Sequence, residues 1–169
     1  MINKANNLHR PRYSVLAKIF HWGFVALFVY GLVKQVQDIE QLEDPGLLRF
    51  EVYFASVFII LLLTRFFYMK KTQKTSLPED TPRVQKFAAK TVHYGMYFTL
   101  AAIPLSGVLI GLLFSIGLKT GFIIDSIVTV HESAIDLIYV LIAIHISAAV
   151  FHRLRRDGVW SSMVPFFKE

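Results

Sequence analysis

Six histidines and no cysteine define the metal chemistry open to this chain. Two of them, His131 and His145, lie fourteen residues apart in one apolar run from Ser126 to His152. On an α-helix that spacing is ~21 Å along the axis with only ~40° of rotation. Both imidazoles therefore point to the same side, one towards each end of a hydrocarbon slab ~30 Å thick. A titratable side chain facing lipid is costly, so the pair faces the interior of a bundle and holds something there. Imidazole is a strong axial ligand for haem iron, and two stacked haems, one in each leaflet, fit the spacing. The lack of cysteine excludes disulfides, thiolate zinc sites and iron–sulfur clusters.

The elements that position these residues are membrane spans. Hydrophobic residues make up 54% of the 169-residue chain, too many for a small soluble globule. The length suits a single domain over residues 1–169. Four spans are expected, at about 13–33, 50–69, 91–114 and 126–152. The fold class is all-α, an integral membrane four-helix bundle. The first apolar run is too long for a cleavable signal peptide. Pro45-Gly46 reads as a turn before the second span. The segment from Pro82 to Lys90 reads as an amphipathic stretch on the membrane surface, and the tail with Trp160, Phe166 and Phe167 as amphipathic too. Pro104 and Gly107 in the third span are expected to kink it and to let a neighbour approach.

The net charge of +6 raises nucleic acid as a partner. The basic residues flank the apolar runs instead of forming one solvated face, so they orient the chain in lipid and nucleic-acid binding is excluded. The amino end (Lys4, Arg10 and Arg12, with Pro11 and His9 beside them) is basic. So are the second connection (Lys70, Lys71, Lys74, Arg83, Lys86, Lys90) and the carboxyl end (Arg153, Arg155, Arg156). These are assigned to the cytoplasm. The acidic first connection and the nearly neutral third, with Lys119 as its one cation, lie outside. Both termini are then cytoplasmic.

Depth sorts the polar residues into two groups. His21, His93 and His145 converge in the inner half, while Glu51 and His131 lie in the outer half. His21, His131 and His145 are the candidate metal ligands, each weighed against a buried imidazole paired with another helix. His93, near the headgroups, has three readings: a partner for a haem propionate, a quinone ligand, or a solvated residue. His152, seven residues beyond His145, reads as an interface residue or as a group binding quinone or propionate. Arg65 reads as a snorkelling interface arginine or as a two-donor clamp on a propionate. Trp22 reads as an interface anchor, and His9 as a solvated terminal residue.

The residues at 12–32 (RYSVLAKIFHWGFVALFVYGL), 58–68 (FIILLLTRFFY), 91–111 (TVHYGMYFTLAAIPLSGVLIG) and 130–152 (VHESAIDLIYVLIAIHISAAVFH) carry a family resemblance. Over essentially its whole length the chain resembles the prokaryotic cytochrome b561 family. That family is related to the cytochrome b subunits of formate dehydrogenases and Ni–Fe hydrogenases. The resemblance implies haem b, with His21 and His145 on the inner haem and His131 on the outer one. The partner position for the outer haem, fourteen residues before Arg65, is Glu51, and a usual glycine four residues later is Ala55. Three arrangements of the outer site follow. It is empty, with His131 hydrogen-bonded to Glu51. Or it holds haem through His131 alone, or with Glu51 as a weak oxygen ligand. Or Tyr53 or another nearby group substitutes.

The expected function is one-electron transfer in a bacterial inner membrane. Electrons pass between a quinone pool, such as ubiquinone, and a redox partner protein or small reactant. Superoxide is one such reactant by the resemblance, which would make the chain a superoxide:ubiquinone oxidoreductase. Two alternatives stand beside it: an anchor subunit of a dehydrogenase complex, and a haem-free four-helix transporter or assembly protein whose histidines relay protons.

Overall fold

The structure is a computed structural model that describes residues 13–73 and 75–167. Lys4, His9, Arg10, Pro11, Arg12 and Lys74 lie outside the described residues. The chain forms α1 (Val15–Val33), a short 3-10 turn (Ile39–Glu43), α2 (Pro45–Thr72), α3 (Arg83–Ser115), α4 (Phe122–Arg155) and α5 (Val159–Met163). Among the described residues there is no strand. Helices α1 to α4 are all long and apolar enough to cross a membrane. In hydrocarbon every backbone N–H and C=O must be satisfied within the protein, and a helix does this alone. Hydroxyls inside the spans turn back on their own helix. Ser56 donates to the Val52 carbonyl, and Thr99 to that of Gly95, both at 2.7 Å.

Local chemistry sets the helix ends. The Ser14 hydroxyl accepts from the Ala17 N–H at 3.1 Å and caps α1. The same hydroxyl lies 2.9 Å from that of Tyr68, and the Ser14 N–H donates to Gln73 Oε1 at 3.1 Å, tying the start of α1 to the end of α2. Asp44 caps α2 by accepting from the Gly46 N–H at 2.7 Å. Pro45 is the first residue of α2 and not a turn ahead of it, because its missing N–H would be unpaired there anyway. Helix α4 ends with His152, Arg153 and Arg155 in its last turn, where cations complement the dipole. Arg156 is left-handed at φ 52°, and Gly158 at φ 83° starts α5.

One expectation is corrected. Residues from Arg83 to Lys90 do not form a separate surface stretch; they are the first turns of α3, which runs 33 residues without a break. Pro82 stops regular helix only ahead of itself, and nothing between Arg83 and Thr91 breaks it. His93 consequently sits about three turns into α3 and not at its start.

Helix α3 is the centre of the bundle, packed along both α2 and α4. Its buried face includes Thr99, Pro104, Ser106, Ile110, Gly111 and Phe114. Helix α1 touches α2 lightly and stands off α4 along most of its length. Two apolar clusters form the core. Leu42, Ile110, Phe114 and Ile124 close the end next to the acidic first connection. Phe24, Phe58 and Leu62 join α1 to α2 deeper in the bundle.

At Gly111 the α2–α3 interface is too close for a side chain: an added Cβ would collide with Cγ2 of Val52. Gly111→Ala is expected to lower stability by ~1–3 kcal/mol through overpacking. Gly23→Ala, where a Cβ meets nothing within 4 Å, should cost nothing. Thermal unfolding of the two variants in the same detergent checks the contrast.

Candidate functional site

At the end of the bundle that carries the basic second connection and carboxyl tail, three helices bring histidines together. The ring centres of His21 on α1 and His145 on α4 are 6.3 Å apart, with planes inclined at 54°. First-row metal–imidazole bonds are about 2.0–2.1 Å, and a ring centre lies roughly 1 Å behind its ligating nitrogen, so two imidazoles on one ion have centres about 6 Å apart. The His21–His145 pair meets that distance across helices that otherwise stand apart. The His93 ring lies edge-on to His145 at 5.1 Å and 89°, a packed neighbour of the pair. Its Nδ1–H donates to the Ala89 carbonyl at 2.7 Å, which leaves Nε2 as an acceptor.

Arg65 reaches into this cluster from α2. It does not lie along the surface as a snorkelling side chain would. One Nη donates to His21 Nδ1 at a long 3.3 Å. The guanidinium carbon lies over the rings of Phe24 at 5.5 Å and Tyr97 at 5.3 Å. Its Nε is buried without a hydrogen-bond partner. A half-buried guanidinium whose enclosed Nε lacks a partner is matched to an anion, and a carboxylate would satisfy it with two parallel bonds.

The carboxyl tail closes over α1 beside His21. The Trp22 indole stands edge-on to His21 at 5.5 Å, and its Nε1–H donates to the Met163 carbonyl at 3.3 Å. Phe166 packs on the same indole at 5.5 Å. Trp22 is thus a clasp point for the tail, a role that no spacing in the sequence reveals.

Beyond the middle of the bundle, a cavity of about 300 Å³ lies between the two apolar clusters, bordered by Leu42 and Ile110 on one side and Phe58 on the other. Glu51, Ala55 and His131 line it, as expected of the outer site. His131 does not pair with Glu51. Its Nδ1 lies 2.9 Å from the hydroxyl of Ser106. Tyr53 is 69% exposed and is absent from the cavity lining, so it is not placed to substitute for Glu51.

His152 is not brought to either site. It is buried, its Nδ1–H donates to Asp157 Oδ2 at 2.6 Å, and its Nε2 faces the Gln85 amide at 3.4 Å. Both ring nitrogens are engaged within the protein, joining α3, α4 and the turn into α5. Lys119, the cation offered by the third connection, is held by Glu43 at 3.0 Å.

Among the described residues no group of three or more His, Cys, Asp or Glu is placed to hold a bare metal ion. Paired imidazoles instead suit a macrocycle that brings its own equatorial donors. The fold and the imidazole pair thus define a four-helix membrane protein fit for a porphyrin. Residues 12–166 match the family model described as prokaryotic cytochrome b561, and the chain belongs to that family, the membrane cytochromes that carry haem b. A relative from Escherichia coli (strain K12), Cytochrome b561 homolog 1, is 29% identical over 175 residues, covering 91% of this chain and 97% of its own. No solved structure matches the chain.

Proposed function

We propose that His21 on α1 and His145 on α4 would hold the haem b of this cytochrome through their imidazoles. The protein passes single electrons between a membrane quinone, such as ubiquinone, and a second redox partner. The observation that carries the reading is the 6.3 Å between two ring centres on helices that otherwise keep apart. When bound, haem supplies reversible one-electron chemistry, and two imidazole ligands leave no open position, which suits electron transfer over oxygen binding.

The chain's own side chains do the rest. Arg65, with its buried Nε free, takes a propionate carboxylate. Its contact to His21 Nδ1 is long at 3.3 Å and would be the one to yield. That nitrogen can then carry the ring proton, leaving the Nε2 lone pair for iron. His93 packs against His145 and shields it from the groove outside. That groove has a volume of about 160 Å³ and is lined by Phe66, Met69, Lys70, His93, Tyr94 and Tyr97. Its aromatic walls and the acceptor Nε2 of His93 suit a quinol headgroup, whose hydroxyl donates to that nitrogen. Superoxide as the second reactant draws no support from Lys119, which Glu43 neutralises.

The protein lies in a bacterial inner membrane with both ends in the cytoplasm, a reading supported by the basic second connection and carboxyl tail. A carboxyl-terminal fusion to a reporter that works only in the cytoplasm is expected to be active; periplasmic activity would reverse the topology.

His21→Ala and His145→Ala are each expected to lose about one haem equivalent together with the low-spin reduced-minus-oxidised spectrum. An unchanged haem content and spectrum in either variant would overturn the ligand assignment. His93→Ala is expected to keep that spectrum while slowing haem reduction by added quinol about tenfold, the cost of one lost hydrogen bond of ~1.4 kcal/mol. Stopped-flow reduction in detergent measures it, and an unchanged rate would move the quinol elsewhere.

A further inference from the structure

The two ends of the bundle are not equally furnished for a haem. Haem b carries two propionates as well as iron, so its site must supply axial ligands and partners for two anions. The end with His21 and His145 offers both: two imidazoles with ring centres 6.3 Å apart, and the Arg65 guanidinium with its unpartnered Nε. The cavity at the other end offers one imidazole, that of His131. Ser106 sets its tautomer. Two carbonyls, which can only accept, lie within reach of that hydroxyl: Ala102 at 2.6 Å and Ile103 at 2.9 Å. The hydroxyl proton goes to the backbone, its oxygen accepts from His131 Nδ1 at 2.9 Å, and the lone pair is left on Nε2.

The rest of the lining works against a second macrocycle. Glu51, from α2, stands where the resemblance places a second ligand, and a carboxylate is a hard oxygen donor and a poor substitute for imidazole on haem iron. Glu132 lines the same cavity, whereas no lysine or arginine does. Of the cations flanking this end, Lys34 and Arg49 are exposed and outside the lining, and Lys119 is paired with Glu43 at 3.0 Å. Two propionates placed here would lie among like charges, in apolar surroundings that screen them poorly. The Glu51 carboxylate and His131 Nε2 are both acceptors, and on one cavity they suit a hydrogen-bond donor, not a dianion. Ala55 lines the cavity too, and its methyl group takes room that a glycine would leave.

We propose that this chain holds a single haem b, at the end of His21 and His145, and that the outer cavity rejects a second. Electrons then enter and leave at that one end. His131 lies fourteen residues from His145, ~21 Å along α4, and no second macrocycle bridges that stretch. The protein is a one-sided redox centre and not a conduit across the membrane. The proposal rests on the chain being a haem b cytochrome, and on the His21–His145 reading only for where its haem lies.

The test uses the full-length protein, purified in detergent from cells grown with added haem. A pyridine haemochrome assay is expected to give about one haem equivalent per chain, and a reductive titration a single step. His131→Ala should keep that haem with its spectrum unchanged. The protein is then placed in sealed vesicles, with cleavage of the carboxyl tail by added protease confirming that both orientations are present. Impermeant ferricyanide added outside should oxidise the reduced haem of one orientation promptly, and that of the other only after detergent opens the vesicles. Two haem equivalents in the wild type would overturn the proposal, and so would full oxidation before detergent is added. A single haem lost in His131→Ala but retained in His21→Ala would place it in the outer cavity and sink both readings. A single haem that survives both substitutions would count against His21 as a ligand and leave this inference standing.

Discussion

A polar ring inside hydrocarbon must be met by another polar group, and that constraint arranges the whole bundle. Each histidine within the spans has a neighbour: His21 meets Arg65, His93 meets the Ala89 carbonyl and His131 meets Ser106. His145 stands between the rings of His21 and His93. The partners are not equivalent. Those of His93 and His131 fix a tautomer firmly, at 2.7 and 2.9 Å, whereas the Arg65 contact is long and leaves a donor unused. The looser contact lies at the histidine pair proposed to share iron. There, Arg65 has a donor to spare and His21 is held only at 3.3 Å, so both have room for a new partner.

The division of labour among the helices follows from the same constraint. Helix α3 binds the bundle together and uses its small residues to do so, with Gly111 letting α2 approach and Ser106 orienting a ring on α4. Helix α1, by contrast, is joined to its neighbours at a few points: the Ser14 links to Tyr68 and Gln73, the Phe24 cluster, and the Trp22 clasp. A helix held at points can carry a ligand at a fixed distance from α4 without packing along it.

Much of this was legible in the residues. Fourteen-residue spacing and membrane depth grouped His21, His93 and His145 at one end and Glu51 and His131 at the other, because helical periodicity and hydropathy are local properties. The four apolar runs were visible for the same reason, although α2, α3 and α4 run beyond their greasy stretches. Polar residues such as those from Arg83 to Lys90 continue a helix without lengthening its apolar part. What stayed hidden depends on rotation and on contacts across the chain. Nothing local says that Ser106 takes His131 from Glu51, that His152 is closed off by Asp157 and Gln85, or that Lys119 is tied to Glu43. Arg65 had two readings in the sequence, and only its direction into the bundle separates them.

The clasp between Trp22 and the tail also carries a consequence for assembly. Met163 and Phe166 are 141 and 144 residues downstream of Trp22, so translation delivers them long after α1. Helix α1 is therefore fastened at this point only after α2, α3 and α4 have been made. Until that segment is made, the side of α1 next to His21 lacks its cover. Closure of this end of the protein waits for the tail, which can latch behind whatever has been loaded.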